Sequence, residues 1–148
     1  MIYRQDHPAW IYVRCASVNA ATAFDRLYDL IDEAAGHGFL VRGTSFDHCS
    51  GNTLKDRNGL RAMLDAVENN LVEAVIVRDL EQISRNNYLL VGVIEIFRRR
   101  DVYLITTECD LNTELINCGL ERFAGDRFTR ASFGKPRFDV RLPLMDQF

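Results

Sequence analysis

Three arginines, Arg14, Arg57 and Arg85, stand where the chain pattern passes between strand, loop and helix. A guanidinium is a planar, permanently charged fork that grips two phosphate oxygens at once. Gathered on one rim, three of them would stabilise the crowded, anionic transition state of a phosphoryl transfer. Taken singly, each is more simply a solvated or salt-bridged surface residue. Their joint placement at strand ends favours a site. The loops beside them are Ser50-Gly51 leading to Asp56-Arg57-Asn58-Gly59-Leu60, and Asp79-Leu80-Glu81-Gln82-Ile83-Ser84-Arg85-Asn86.

The elements that must position these residues alternate strand and helix. Residues 10–16 are an apolar, β-branched and aromatic run, a strand. Residues 20–36 carry Phe24, Leu27, Tyr28, Ile31, Ala34 and Ala35 at helical spacing, stopped by Gly36 and Gly38. A second strand is predicted over 39–46, then a polar loop from His48 to Asn58. Leu60, Met63, Leu64 and Val67 mark a helix over 59–70. Ala74-Val75-Ile76-Val77 reads as a central parallel strand, buried on both faces. Asn86 or Asn87 is placed to cap a helix with Leu89, Leu90, Val93, Ile94 and Phe97 inward. Val102 to Ile105 is a fourth strand, and Thr113 to Phe123 a short helix. This order predicts an α/β fold with a mainly parallel sheet flanked by helices, with ligands at the carboxyl ends of its strands.

Composition bounds the rest. A chain of 148 residues, 47% hydrophobic and 26% charged, is expected to form one soluble domain. No apolar run is long enough for a membrane span, and the polar start argues against a signal peptide. Cys15, Cys49, Cys109 and Cys118 are scattered, which fits reduced thiols in a cytoplasmic protein rather than a disulfide framework or zinc site. Cys15 is expected to be a small buried hydrophobe, and Arg98-Arg99-Arg100 to complement a helix C-terminus. A dinucleotide site would need a glycine-rich turn after the first strand, and a phosphoacceptor receiver an acidic cluster there. Cys15-Ala16-Ser17-Val18-Asn19-Ala20 offers neither.

Taken together, Tyr12-Val13-Arg14-Cys15-Ala16-Ser17, Asp47, Ser50-Gly51, Arg57 and Glu81-Gln82-Ile83-Ser84-Arg85 resemble the catalytic domain of the serine recombinases, the resolvase and invertase family. The resemblance spans roughly residues 9–108, in order. It implies a resolvase-like three-layer fold and site-specific DNA strand exchange, with a serine attacking a DNA phosphate and arginines holding it. It implies no metal or cofactor. It implies DNA as partner, and assembly with further copies or with an active recombinase. Carried across, Arg14, Arg57, Glu81 and Arg85 are the catalytic candidates. Ser50 and Gln82 join Arg127 and Arg130 as DNA-binding candidates.

The departures fall on the chemistry. Ala16 occupies the nucleophile's position and has no hydroxyl. Ser17 is the possible substitute, although strand alternation turns it away from Arg14 unless the strand bends there. Ala20 stands at a glutamine position, and Gln82 where the family has an arginine. No recognition helix is evident after the fourth strand. The sequence therefore predicts a resolvase-like protein, catalytically impaired, or a non-catalytic module pairing with DNA or an active recombinase.

The net charge of −3 is unevenly spread. Arg122, Arg127, Arg130, Lys135, Arg137 and Arg141 crowd the last part of the chain, interleaved with Phe123, Phe128, Phe133 and Phe138. Residues 109–148 are expected to be a short helix and a basic, aromatic tail. That tail either tracks a phosphate backbone and stacks bases or, the favoured reading, anchors on an apolar surface of this chain or another copy.

Overall fold

The computed structural model describes residues 7–15, 20–48 and 57–124, with 20–23 by main chain alone. Four strands alternate with helices: β1 (His7–Cys15), α1 (Ala20–Gly36), β2 (Phe39–His48), α2 (Asn58–Glu68), β3 (Ala74–Val77), α3 (Asn87–Arg100), β4 (Tyr103–Thr106) and α4 (Leu111–Asn117). All strand pairs are parallel, in the order β2-β1-β3-β4. The chain steps from β1 outward to β2, then returns across β1 to β3. The carboxyl ends of β1 and β3 therefore flank the point where the winding reverses, which is where open α/β sheets bind ligands.

Alternation along the strands sorts the core into two layers. Ile11, Val13, Ala74, Ile76, Tyr103 and Ile105 face α1, which contributes Leu27, Leu30 and Ala34. Tyr12, Val75, Val77 and Leu104 face the other way, onto Leu60, Met63, Ile94, Phe97 and Leu115 of α2, α3 and α4. The result is the three-layer α/β architecture that the sequence predicts. On α1, however, the buried stripe is Leu27, Leu30 and Ala34, while Phe24 and Tyr28 are 43% and 64% exposed.

Several boundaries differ for identifiable reasons. β1 begins three residues early, ahead of Pro8, because the proline carbonyl accepts from Glu73 N–H (2.7 Å) and His7 N–H donates to Gly38 (3.4 Å). His7 Nδ1 also meets Glu73 Oε2 at 3.1 Å. β2 runs on to His48, so that residue ends a strand rather than opening a loop. Where β2 meets β1 the register slips: Ala9 pairs with Val41 but Trp10 with Gly43, leaving Arg42 over. The Trp10 ring lies directly on Gly43, where no Cβ could fit, and its Nε1–H donates to Ser45 Oγ (2.9 Å).

α4 is shorter than the predicted 113–123 and starts earlier. Asp110 caps it, accepting from Thr113 N–H (3.3 Å) and Thr113 Oγ1–H (2.8 Å). Gly119, at φ 82°, closes it: Gly119 N–H donates to Ile116 O and Leu120 N–H to Leu115 O. This pair of bonds, with Leu120 packed near Leu115, is a Schellman stop. Glu121–Phe123 then form a separate 3-10 turn. No helix among the described residues is long and apolar enough to cross a membrane.

Candidate functional site

The site is assembled at the carboxyl end of the sheet from four pieces: the ends of β1 and β2, the entry to α2, and a 3-10 turn (Leu80–Gln82) that follows β3. Tyr12 and Arg14 lie two residues apart on β1 and share its α2-facing side. Asp47 comes from the end of β2. Its Oδ1 accepts from Gly59 N–H (2.7 Å) and its Oδ2 from Leu60 N–H (2.9 Å) and Tyr12 Oη–H (2.7 Å). A carboxylate from a neighbouring strand thus satisfies the open N–H groups of α2 and complements the positive end of its dipole. The fit requires Gly59: a Cβ there would stand 2.6 Å from the Phe46 carbonyl oxygen and 3.0 Å from Asp47 Cγ.

Arg57 sits under this carboxylate, with no exposed surface. Its Nη1 donates to Ile83 O (2.5 Å), and its Nη2 to Tyr12 Oη (2.6 Å) and Gln82 O (3.0 Å). Nε lies 3.8 Å from Asp47 Oδ2 and makes no hydrogen bond. Burial, opposed by the Arg57 bond and reinforced by Asp47, holds the Tyr12 phenol well above its ordinary range. The hydroxyl therefore stays protonated, accepting from the cation and donating to the carboxylate.

Arg14 is also buried, 3% exposed. Its side-chain Nε and Nη2 converge on Glu81 O at 2.9 and 2.6 Å, while its main-chain N–H donates to Gln82 Oε1 (2.7 Å). Two arginines from different elements thus grip three consecutive carbonyls of the 81–83 segment. Gln82 turns its amide inward. The Glu81 side chain and Arg85 are exposed, and Arg85 has no hydrogen bond or ion pair among the described residues. Asn86 starts α3 immediately afterwards, its Oδ1 accepting from Tyr88 N–H (2.8 Å).

The same turn is held from below by α4. Glu114 Oε2 accepts from Leu80 N–H (3.0 Å). Burial raises the Glu114 carboxyl to about 7; the Leu80 bond opposes this, and the charges of Asp79, Glu81 and Asp110 add to it. Glu114 Oε1 and Asp79 Oδ1 are both buried without a partner. Glu81, Ser84, Arg85, Glu114 and Asn117 line a crevice of about 360 Å³ here.

A family model, "Resolvase, N terminal domain", matches residues 9–119. The chain belongs to the resolvase family. Solved structures of the same fold include the N-terminal catalytic domain of TP901-1 integrase (22% identity, TM-score 0.63, covering 79% of this chain and 88% of that one). The C-terminal catalytic domain of ISC1926 TnpA, an IS607-like serine recombinase, matches at 23% identity and TM-score 0.61 (74% and 75% covered). A resolvase family site-specific recombinase from Streptococcus pneumoniae matches at 18% identity and TM-score 0.58 (68% and 71%). No protein of curated function matches the chain in sequence.

For this resolvase-family domain, the structure brings Arg14, Arg57, Glu81 and Gln82 into one connected network, with Arg85 at its surface. The three arginines share a rim but at different depths: two are enclosed and bonded to main-chain carbonyls, and one faces water. Ala16, Ser17, Ser50, Arg127 and Arg130 lie outside the described residues, as does the segment after Ala124. Among the described residues no three His, Cys, Asp or Glu side chains converge as a metal site. Sequence reasoning missed Glu114 as an anchor of the turn, and Tyr12 and Asp47 as its inner bracing. The two-residue spacing of Tyr12 and Arg14 was the signal for the first of the bracing pair; nothing local marked Glu114.

Proposed function

We propose that this chain acts in site-specific DNA recombination as a resolvase-like protein whose own strand-exchange chemistry is impaired. The observation that carries the reading is the alanine at position 16, two residues after Arg14 in the sequence. In strand exchange of this kind a hydroxyl oxygen bonds to phosphorus as the DNA 3′ oxygen leaves with a proton, giving a 5′-phosphoserine link. A methyl group has no lone pair to attack with. Ser17, the next residue, is the candidate substitute hydroxyl should any strand exchange remain. Arg85 is the cation free to meet a phosphate, and Arg14 and Arg57 position the segment that carries it, with Glu81 beside it. Ser50, Arg127 and Arg130 complete the proposed DNA contacts; Gln82, expected among them, is instead buried with its side chain bonded to Arg14 N–H. The proposed setting is cytoplasmic, as one unit of an oligomer with its own copies or with an active recombinase, without metal or cofactor.

A second reading, a non-catalytic module that pairs with DNA or an active recombinase, is favoured by one feature. Gln82 replaces a phosphate-holding arginine and spends its side chain on Arg14 N–H. Covalent trapping on supercoiled DNA separates the readings, with the natural protein run beside Ala16→Ser. An adduct from the variant alone supports impairment at a single atom. An adduct from the natural protein overturns impairment and points to Ser17. No adduct from either supports the module.

A further inference from the structure

The outer face of α1 is chemically unlike the rest of the described surface. Phe24 and Tyr28 stand exposed one turn apart. Phe24 meets Phe46 edge-on at 5.0 Å, and Phe46 meets His48 at 5.6 Å, so the aromatic shelf extends onto β2. Around it Asp25, Asp29, Asp32 and Glu33 are all exposed, and none is in an ion pair among the described residues. Arg26 is the sole cation of the helix.

Beside this face a crevice of about 360 Å³ opens between α1 and the ends of β3 and β4. Arg26, Asp29 and Glu33 line it from the helix, Arg78 and Glu108 from the sheet, leaving carboxylates in excess. Arg78 is already engaged by Asp79 (3.3 Å) and Glu108 (3.6 Å), so it does not answer the helix carboxylates. Such a surface repels a phosphate backbone and suits a cationic, aromatic partner.

The chain carries such a partner. Residues 125–148 hold Arg127, Arg130, Lys135, Arg137 and Arg141 against Asp126, Asp139 and Asp146, with Phe128, Phe133 and Phe138 interleaved. Twenty-four residues reach up to about 80 Å when extended, against a folded unit about 40 Å across. Reach is therefore not limiting, and a tethered segment competes at roughly millimolar effective concentration. We propose that in the DNA-free protein residues 125–148 dock in cis on the outer face of α1, their phenylalanines on the Phe24–Tyr28 shelf and their cations against Asp25, Asp29, Asp32 and Glu33. Exposed ion pairs contribute little singly. The buried rings supply most of the affinity and the charges set the register.

The test is limited chymotrypsin digestion of the full chain at low salt, following cleavage after Phe128, Phe133 and Phe138. In an Asp25→Lys/Asp29→Lys/Asp32→Lys variant, cleavage is expected to be about tenfold faster than in the natural protein. Adding Arg127→Glu/Arg130→Glu/Lys135→Glu restores protection. High salt on the natural protein reproduces the acceleration without any substitution. Equal rates in the natural and α1-reversed proteins overturn the docking. Protection that rises with protein concentration overturns the cis arrangement and assigns the face to a second copy.

Discussion

Replacing Glu114 by glutamine probes how firmly the Leu80–Gln82 turn is seated. The carboxyl anchors the turn through Leu80 N–H while facing Asp79, Glu81 and Asp110 from a half-buried position. Moving a carboxyl from its ordinary 4.5 to about 7 corresponds to about 3.4 kcal/mol at full strength. Glu114 is only half enclosed, and solvent screening reduces the usable part to about 1–2 kcal/mol. The folded protein binds this proton more tightly than the unfolded chain. The stability it contributes is therefore complete below about pH 4.5, falls as the pH rises to about 7 and is gone above that. Glutamine keeps an acceptor for Leu80 N–H and carries no charge at any pH. Thermal melts across pH 4 to 8 should show the natural protein losing about 3–6 °C over this range from this group. The variant should lack that component and melt higher by a similar amount at the alkaline end. A variant with the same pH dependence, or one that melts lower than the natural protein at pH 8, refutes the assignment.

Three further substitutions test the bracing of the site. Asp47→Asn leaves the α2 N–H groups and Tyr12 sharing one good acceptor, with an amide donor turned toward N–H groups; urea unfolding should show a loss of about 2–3 kcal/mol. Gly59→Ala drives a Cβ to within 2.6 Å of the Phe46 carbonyl, and a loss of about 2 kcal/mol is expected in the same assay. An unchanged midpoint would show that the α2 entry is looser than its geometry implies. Tyr12→Phe removes the hydroxyl that joins Arg57 to Asp47. It should cost about 1–3 kcal/mol, and pairing it with Asp47→Asn should cost less than the sum, because the two share a network.

β1, β3 and β4 were legible because each centres on an apolar run bounded by polar turns, and β3 fell on its predicted residues, Ala74–Val77. The end of α4 was less so. Ile116, Leu120 and Phe123 continue a helical spacing past Gly119, and only the positive φ of that glycine reveals the break. On α1 the aromatic residues satisfy the same 3.6-residue period as the buried stripe, so periodicity alone could not say that Leu30, not Phe24 or Tyr28, faces the sheet. The site residues were visible as types and positions, but not as depths. Arg14, Arg57 and Arg85 are chemically identical in the sequence. What separates them is whether main-chain carbonyls from a distant turn come within reach, and that is a product of the folded crossover from β2 to β3. Glu114 was invisible for the same reason: its partner, Leu80, is 34 residues away.

The single residue left over in β2 decides which side of the sheet carries the site. Before it, Phe39 and Val41 point toward α1; beyond it, Ser45 and Asp47 point toward α2 although they share the same odd parity. Arg42 is the step that changes the phase. Pair Arg42 in regular alternation instead of leaving it out of the ladder, and the second half of the strand inverts: Phe46 would be thrust at the entry to α2, and Asp47 would be carried to the opposite layer, away from Tyr12 and Gly59. Deleting Arg42 would leave Val41 and Gly43 as successive partners of Ala9 and Trp10 with the site in place, whereas flattening the bulge with every residue kept would act as a frameshift in three dimensions, leaving every site residue in the sequence and dismantling the site.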